Sequence, residues 1–246
     1  MPIIYLSPST QDWNQYINGG TEEYYMNLLA DKMVPYLDAS GIRYARNTPD
    51  MTAASSIVAS NAGDYDLHLA LHSNAGGGAQ AGKVRGTIVF YYPGSTEGKR
   101  AAELVADGIK TVYPNPNLVQ TQGTTTLGEV ARVNAPSILV ELAFHDNLED
   151  ALWIKSNLDE VARVIVLALT EFFDIPFFET EHRRPGVVDV TWGNLNIRTR
   201  PDMDAPILAQ APDGAPLTII NSANGWYLVS YNGVIGYVNS DYVTLV

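Results

Sequence analysis

An apolar run with a polar end, Asp66-Leu67-His68-Leu69-Ala70-Leu71-His72-Ser73-Asn74, passes directly into the glycines Gly76-Gly77-Gly78. Such a run, bounded by turn formers, reads as a buried strand whose last residues open onto a loop. Upstream, Ile3 to Leu6 is a second apolar strand, closed by Ser7-Pro8-Ser9. Between them, Thr21 caps a helix in which Tyr25, Met26, Leu29, Met33 and Leu37 recur at helical spacing, and Gly41 ends it. Ile42 to Ala45 reads as a strand and Thr52 to Ala62 as a helix. Downstream come a strand at Thr87 to Tyr92, a helix at Thr96 to Val112 and a strand at Ser137 to Leu142. A long helix follows, with Leu158, Val161, Ile165, Ala168 and Phe172 as one stripe. Strands alternating with helices predict an α/β fold, a mostly parallel twisted sheet flanked by helices. Ligands of such sheets gather at the carboxyl ends of the strands, here Ser7–Gln11, His72–Asn74 and Glu141–Asn147.

The texture changes near Pro176. Residues 176–186 are polar and end in Pro185-Gly186, the composition of a linker. Beyond them, short alternating segments (Leu195/Ile197, Leu217/Ile219, Trp226/Leu228, Ile235/Tyr237) are separated by Pro201-Asp202, Asp213-Gly214, Asn224-Gly225 and Asn232-Gly233. That pattern predicts a small all-β barrel. The expected division is 1–175, linker 176–186, and 187–246.

Fifteen Lys+Arg against 27 Asp+Glu give a net charge of −12, with no basic run to displace counterions from phosphates, so no nucleic-acid partner is expected. The longest apolar run, Val164 to Leu169, is far short of the roughly 18–20 residues of a membrane span, so no membrane insertion is expected. There is no cysteine, which removes disulfides, thiolate metal sites and cysteine nucleophiles together. Met1-Pro2-Ile3-Ile4-Tyr5-Leu6 lacks the basic, apolar and cleavage regions of a secretion signal.

Three clusters carry the candidate chemistry. On a strand, His68 and His72 share a face but stand ~13 Å apart, too far to bind one metal; His72 sits at the loop end and His68 reads as a packed core histidine. Glu141 ends an apolar strand, where burial requires a partner or a proton; it reads either as a salt-bridged edge residue or as a general base and acid. Glu22-Glu23 open the first helix, where acids complement the helix dipole, and a ligand role is open to them as well.

In order and spacing, these pieces resemble the zinc-dependent N-acetylmuramoyl-L-alanine amidases with a His, Glu, His metal site. The resemblance spans Pro2 to Phe173. It rests on Ser7-Pro8, Glu22 with Met26, Ala30, Met33 and Gly41, Arg46, Asn61, Ala70-Leu71-His72-Ser73-Asn74, Gly86-Thr87-Ile88, and Ala135-Pro136-Ser137-Ile138-Leu139-Val140-Glu141-Leu142-Ala143-Phe144. It implies a peptidoglycan hydrolase that cuts the amide between N-acetylmuramic acid and L-alanine. Zinc-activated water would attack, and Glu141 would serve as general base and acid. It also implies Zn2+ on Glu22 (better spaced than Glu23) and His72. The family's first histidine ligand is missing: Ser9-Thr10-Gln11-Asp12 stands there. His145, which follows Glu141 closely, is the expected replacement, with the Gln11 carbonyl as the alternative. Ser56 stands where the family has an arginine.

Residues 187–246 resemble a bacterial Src-homology-3-like (SH3-like) domain, through Leu195-Asn196-Ile197-Arg198, Gly225-Trp226-Tyr227 and Gly236-Tyr237-Val238. The resemblance implies a cell-wall-binding domain. Trp226 and Tyr237 are the candidate wall contacts, with core or rim packing as the plainer role. Together the parts predict an endolysin or autolysin acting on peptidoglycan at the bacterial cell wall, either released in the manner of a phage lysin or secreted with its signal omitted. The alternative is a non-catalytic wall-binding protein with a degenerate metal site.

Overall fold

The computed structural model describes residues 1–246. Contacts divide the chain into two units: Ile3–Val34 with Tyr44–Phe172, and Phe173–Val246 with Met1–Pro2 and Pro35–Arg43.

The larger unit is built on β1 (Ile3–Pro8), α1 (Glu22–Ser40), β2 (Arg43–Arg46), α2 (Ala53–Asn61), β3 (Leu67–Asn74), β4 (Thr87–Tyr91), α3 (Thr96–Lys110), β5 (Val119–Gly123), α4 (Gly128–Ala131), β6 (Ser137–Phe144) and α5 (Leu148–Phe172). Its six strands run in the order β2-β1-β3-β6-β4-β5. β1, β3 and β6 pair in parallel, as do β4 and β5, while β4 and β6 are antiparallel. β5 and α4 have no counterpart in the sequence reading.

Local chemistry accounts for the element ends. Thr21 Oγ1 accepts the Tyr24 amide at 3.1 Å at the start of α1, and Thr52 with Ser55 forms a reciprocal capping box on α2. Gly41, just past α1, has φ +74°, a conformation that favours glycine. The predicted stripe of α5 is buried, as are Met26, Leu29, Ala30 and Met33 of α1. β3 is buried along nearly its whole length, as a central strand covered on both faces must be.

The smaller unit contains seven antiparallel strands: β7 (Arg184–Val188), β8 (Asn194–Arg198), β9 (Ile207–Pro212), β10 (Pro216–Ala223), β11 (Trp226–Tyr231), β12 (Val234–Asn239) and β13 (Val243–Leu245). Their order is β13-β7-β10-β11-β12-β8-β9. Val188, Ile197, Ile219, Val229 and Val238 form its core. The sheet starts at Arg184, inside the stretch read as linker, because β7 pairs with both β10 and β13. Asn224 and Asn232, each before a glycine, adopt positive φ at the tight turns their dipeptides signalled. No helix of the molecule is long and apolar enough to cross a membrane.

Candidate active site

The carboxyl ends of β1, β3 and β6 deliver the candidate residues to one place. Glu22, in the first turn of α1, accepts from His72 at 2.8 Å between Oε1 and Nδ1, and from Asn14 Nδ2 at 2.6 Å through Oε2. Glu22 is therefore the acid turned to the strand ends; Glu23 Oε1 instead accepts from Asn27 on its own helix. The other ring nitrogen of His72, Nε2, lies 3.1 Å from Glu129 Oε2. Glu129 was missed by sequence reasoning. It sits on α4, is buried, accepts from Ser7 Oγ at 2.5 Å and lies 3.4 Å from His68 Nε2.

His72 is thus a nearly buried imidazole between two buried carboxylates, with a carboxylate oxygen within hydrogen-bond distance of each ring nitrogen. Burial opposes its charge, but the hydrogen bonds and negative charge of Glu129 and Glu22 outweigh burial and raise its pKa. Burial likewise opposes ionisation of Glu22 and Glu129, and their histidine partners hold both below the usual carboxylate range. His68 is fully buried, as expected of a core histidine. It stacks on Tyr5 with ring centroids 5.4 Å apart and meets Ser60 Oγ through Nδ1 at 3.0 Å. The two histidines of β3 are thereby joined by one carboxylate.

Glu141 on β6 is the register partner of His72 on β3. Its Oε2 is buried and has no hydrogen-bond partner. Burial pushes its carboxyl up to about 7; the His72 charge lowers it and Glu22 raises it. A carboxyl so placed changes protonation near neutral pH, as a proton carrier must. Beside this array lies a cleft of ≈ 370 Å³ lined by Gln11, Trp13, Met51, Ala53, His72 and Glu129 among others. Ser56, at the departure from the family's arginine, is buried and accepts from Asn47 Nδ2 at 3.0 Å.

The other two expected ligands, His145 and Gln11, are engaged with protein partners. His145 is buried against Tyr16, with ring centroids 5.3 Å apart, and its Nδ1 lies 2.9 Å from the Ser73 carbonyl and 3.1 Å from Ser73 Oγ. Its neighbour Asp146 accepts the backbone amides of Gly76 and Gly82, fastening the glycine-rich loop. Gln11 turns Nε2 toward His72 Nδ1 at 3.3 Å, while its carbonyl oxygen accepts from Asn14 at 3.1 Å. A zinc site needs lone pairs from three protein donors at one point. Here both nitrogens of His72 are engaged, the Gln11 oxygen is occupied, and no three His, Asp or Glu side chains gather to hold a metal ion. The donor set does not fit the expected zinc centre.

In the smaller unit, Trp226 lines a groove of ≈ 580 Å³ together with Trp192, Arg198, Met203 and Tyr242. Tyr237, the other candidate wall contact, is 1% exposed. Its neighbour Val238 is the β12 residue that enters the core, so Tyr237 lies on the other face of the strand and is buried there, which corrects the expectation that it meets a ligand. Trp192, which is 87% exposed, was missed by sequence reasoning, although a tryptophan next to Gly193 in a turn is a detectable signal.

A mixed α/β sheet that places the buried Oε2 of Glu141 beside His72 is thus followed by an antiparallel β domain with an open aromatic groove. Comparison with known proteins makes this specific. The family model described as N-acetylmuramoyl-L-alanine amidase matches residues 9–171, and that of the bacterial SH3 domain matches residues 193–244. The chain belongs to the N-acetylmuramoyl-L-alanine amidase family.

Among solved structures, the chain resembles the amidase AmiC2 of Nostoc punctiforme (TM-score 0.62, 15% identity, 70% of this chain and 97% of that one). It also resembles the catalytic domain of the CD27L endolysin targeting Clostridia difficile (TM-score 0.57, 21% identity, 70% and 98%). A third is the catalytic domain of CwlV from Bacillus (Paenibacillus) polymyxa var. colistinus (TM-score 0.62, 14% identity, 72% and 100%). At these identities the likeness is one of fold. A curated relative, the putative N-acetylmuramoyl-L-alanine amidase YrvJ of Bacillus subtilis (strain 168), is 38% identical over 58 residues, 24% of this chain and 11% of that protein.

Proposed function

We propose that this chain hydrolyses the amide between the lactyl group of N-acetylmuramic acid and the L-alanine of the peptidoglycan stem peptide, at the bacterial cell wall, in the manner of an endolysin or autolysin. The observation that carries the reading is Glu141, whose Oε2 is buried and unpartnered beside His72, an environment in which burial pushes its carboxyl up to about 7.

In the reaction, ionised Glu141 takes a proton from a water molecule as its oxygen bonds to the amide carbon. The carbonyl oxygen gains the negative charge. When the C–N bond breaks, Glu141 returns the proton to the alanine nitrogen, leaving a free amine and a lactyl carboxylate. The Gln11 amide on the cleft wall supplies a hydrogen-bond donor for the developing oxyanion, while the cation on His72 favours the ionised form of Glu141. Glu22 accepts from that cation through Oε1. No step is assigned to a metal ion, since the donor set does not complete its site. The groove around Trp192 and Trp226 would hold the wall, raising the effective concentration of substrate at the catalytic unit.

Mass analysis of purified peptidoglycan after digestion tests the bond assignment. Free stem peptides with N-terminal L-alanine, and glycan strands with intact lactyl groups, are expected. Disaccharide fragments or cleaved stem peptides would contradict it.

One observation favours a second reading. Gln11 replaces the imidazole expected at the end of β1, and no other side chain restores it. A protein whose amidase centre had lost function would bind the wall without releasing amines. Such a binder has no use for a buried carboxyl that titrates near neutral pH, so hydrolysis is the better supported reading.

A further inference from the structure

The buried polar groups behind the site form a connected series that neither the resemblance nor the proposed reaction requires. Its centre is Glu129. The short helix that carries it is fixed from several sides. Val130 packs with Ala70 and Leu139 on the sheet, Ser137 Oγ donates to the Val130 carbonyl at 2.8 Å, and Asn61 Nδ2 donates to the Arg132 carbonyl at 2.8 Å. The carboxylate is oriented in turn. Oε1 accepts from Ser7 Oγ and faces His68 Nε2, which leaves Oε2 aimed at His72.

We propose that Glu129 is a positioning residue, which holds His72 through Nε2 so that the opposite edge of the ring stays against Glu22 and beside Glu141. A histidine ring anchored at one nitrogen is free to swing about its χ2 axis, a broad two-fold torsion. Anchored at both nitrogens by carboxylates that are themselves fixed on α1 and α4, it has a single orientation. The expense of burying a second carboxylate is thereby explained: one acid would suffice for charge balance with His72, whereas two are needed to lock the ring. Ser7 and His68 act one layer further out, by preventing Glu129 from rotating away.

The rate effect rests on the amidase reading; the orientation effect does not. The experiment uses the full chain with 15N-labelled histidine, compared as wild type, Glu129→Gln and Glu129→Leu, with His68→Gln and His145→Gln to separate the three buried histidine signals. Wild type is expected to show a protected, strongly downfield His72 Nε2–H resonance. Glu129→Gln should shift it, and Glu129→Leu should abolish it. On soluble muropeptide, kcat should fall roughly ten- to a hundredfold in Glu129→Leu, with KM changed less than about threefold, because a displaced catalytic group slows the chemical step more than binding.

An unchanged His72 resonance in the variants would overturn the proposal, as would kcat within about twofold of an active wild type. Should Glu129→Leu fail to fold, the resonance and kcat of Glu129→Gln decide. Should wild type release no amine at all, the amidase reading falls and the resonance alone decides the positioning role.

Discussion

The two units of this protein treat their distinctive side chains in opposite ways. In the larger unit, Glu22, His72, Glu129 and His68 are all less than a tenth exposed and are spent on one another. In the smaller unit, Trp192 is 87% exposed, and Trp226 borders an open groove with Tyr242 and Arg198. Buried charge is tolerated only where each group has a partner, so the first region is rigid and specified atom by atom. Exposed aromatic surface needs no such pairing and suits reversible contact with an extended ligand. The contrast suits the proposed division of chemistry to one region and retention to the other, and it can be broken or sharpened experimentally.

The largest effect belongs to Glu141. Glu141→Gln should lower amide hydrolysis by about a hundred- to ten-thousandfold, the range for removal of a general acid–base group, while wall retention in a pull-down stays at wild-type level. A mutant that lost both would show that the two functions are not separate. Next, Trp192→Ala combined with Trp226→Ala should weaken retention on purified wall about tenfold or more, as removal of aromatic anchors does, with hydrolysis of soluble muropeptide unchanged.

A comparable gain is expected from Gln11→His. It places an imidazole near Glu22 Oε1 and His72 Nδ1, and zinc affinity by calorimetry should rise on the order of tenfold over wild type. Equal affinities would show that Gln11 is not what limits metal binding.

The smallest effects are in pH. With its folded pKa at about 7, ionised Glu141 accumulates as pH rises, so kcat/KM should climb through neutrality rather than near the ordinary carboxylate value. Stability runs in two senses. Glu22 and Glu129 have depressed pKa values, so their contribution is complete above the usual carboxylate pKa and is lost as pH falls through the folded value, about 2 for Glu129. His72 has a raised pKa, so its contribution is complete below its ordinary value and is lost as pH rises through about 10. Melting temperature should therefore decline on both flanks in wild type and decline less in Glu129→Gln.

Much of this architecture was legible in the residues. Apolar runs ending in polar loops located β1, β3 and β6, and the strand-end rule led to Ser7, Gln11, His72 and Glu141. The family resemblance, through the spacing of Glu22 to Ala30, Met33 and Gly41, selected it over Glu23. What stayed hidden has physical causes. Val119-Gln120-Thr121-Gln122-Gly123 forms β5 at a sheet edge, where only Val119 is buried, so no apolar alternation marks it. Gly128-Glu129-Val130-Ala131 is one helical turn, shorter than the period that reveals a helix, and the missed acid Glu129 went unnoticed with it. Tyr237 and Trp226 occupy similar places in their motifs, and only the packing around each decides that the tyrosine is buried while the tryptophan borders a groove.

The central claim is that Glu141 carries the proton in cleavage of the muramoyl–alanine amide. Its most direct test is the release of new L-alanine amino termini from purified peptidoglycan by wild type and by Glu141→Gln, each with and without a chelator. The account predicts release by wild type, with or without chelator, and almost none by Glu141→Gln. Equal release by the two proteins, or none from wild type that still binds the wall, would contradict it.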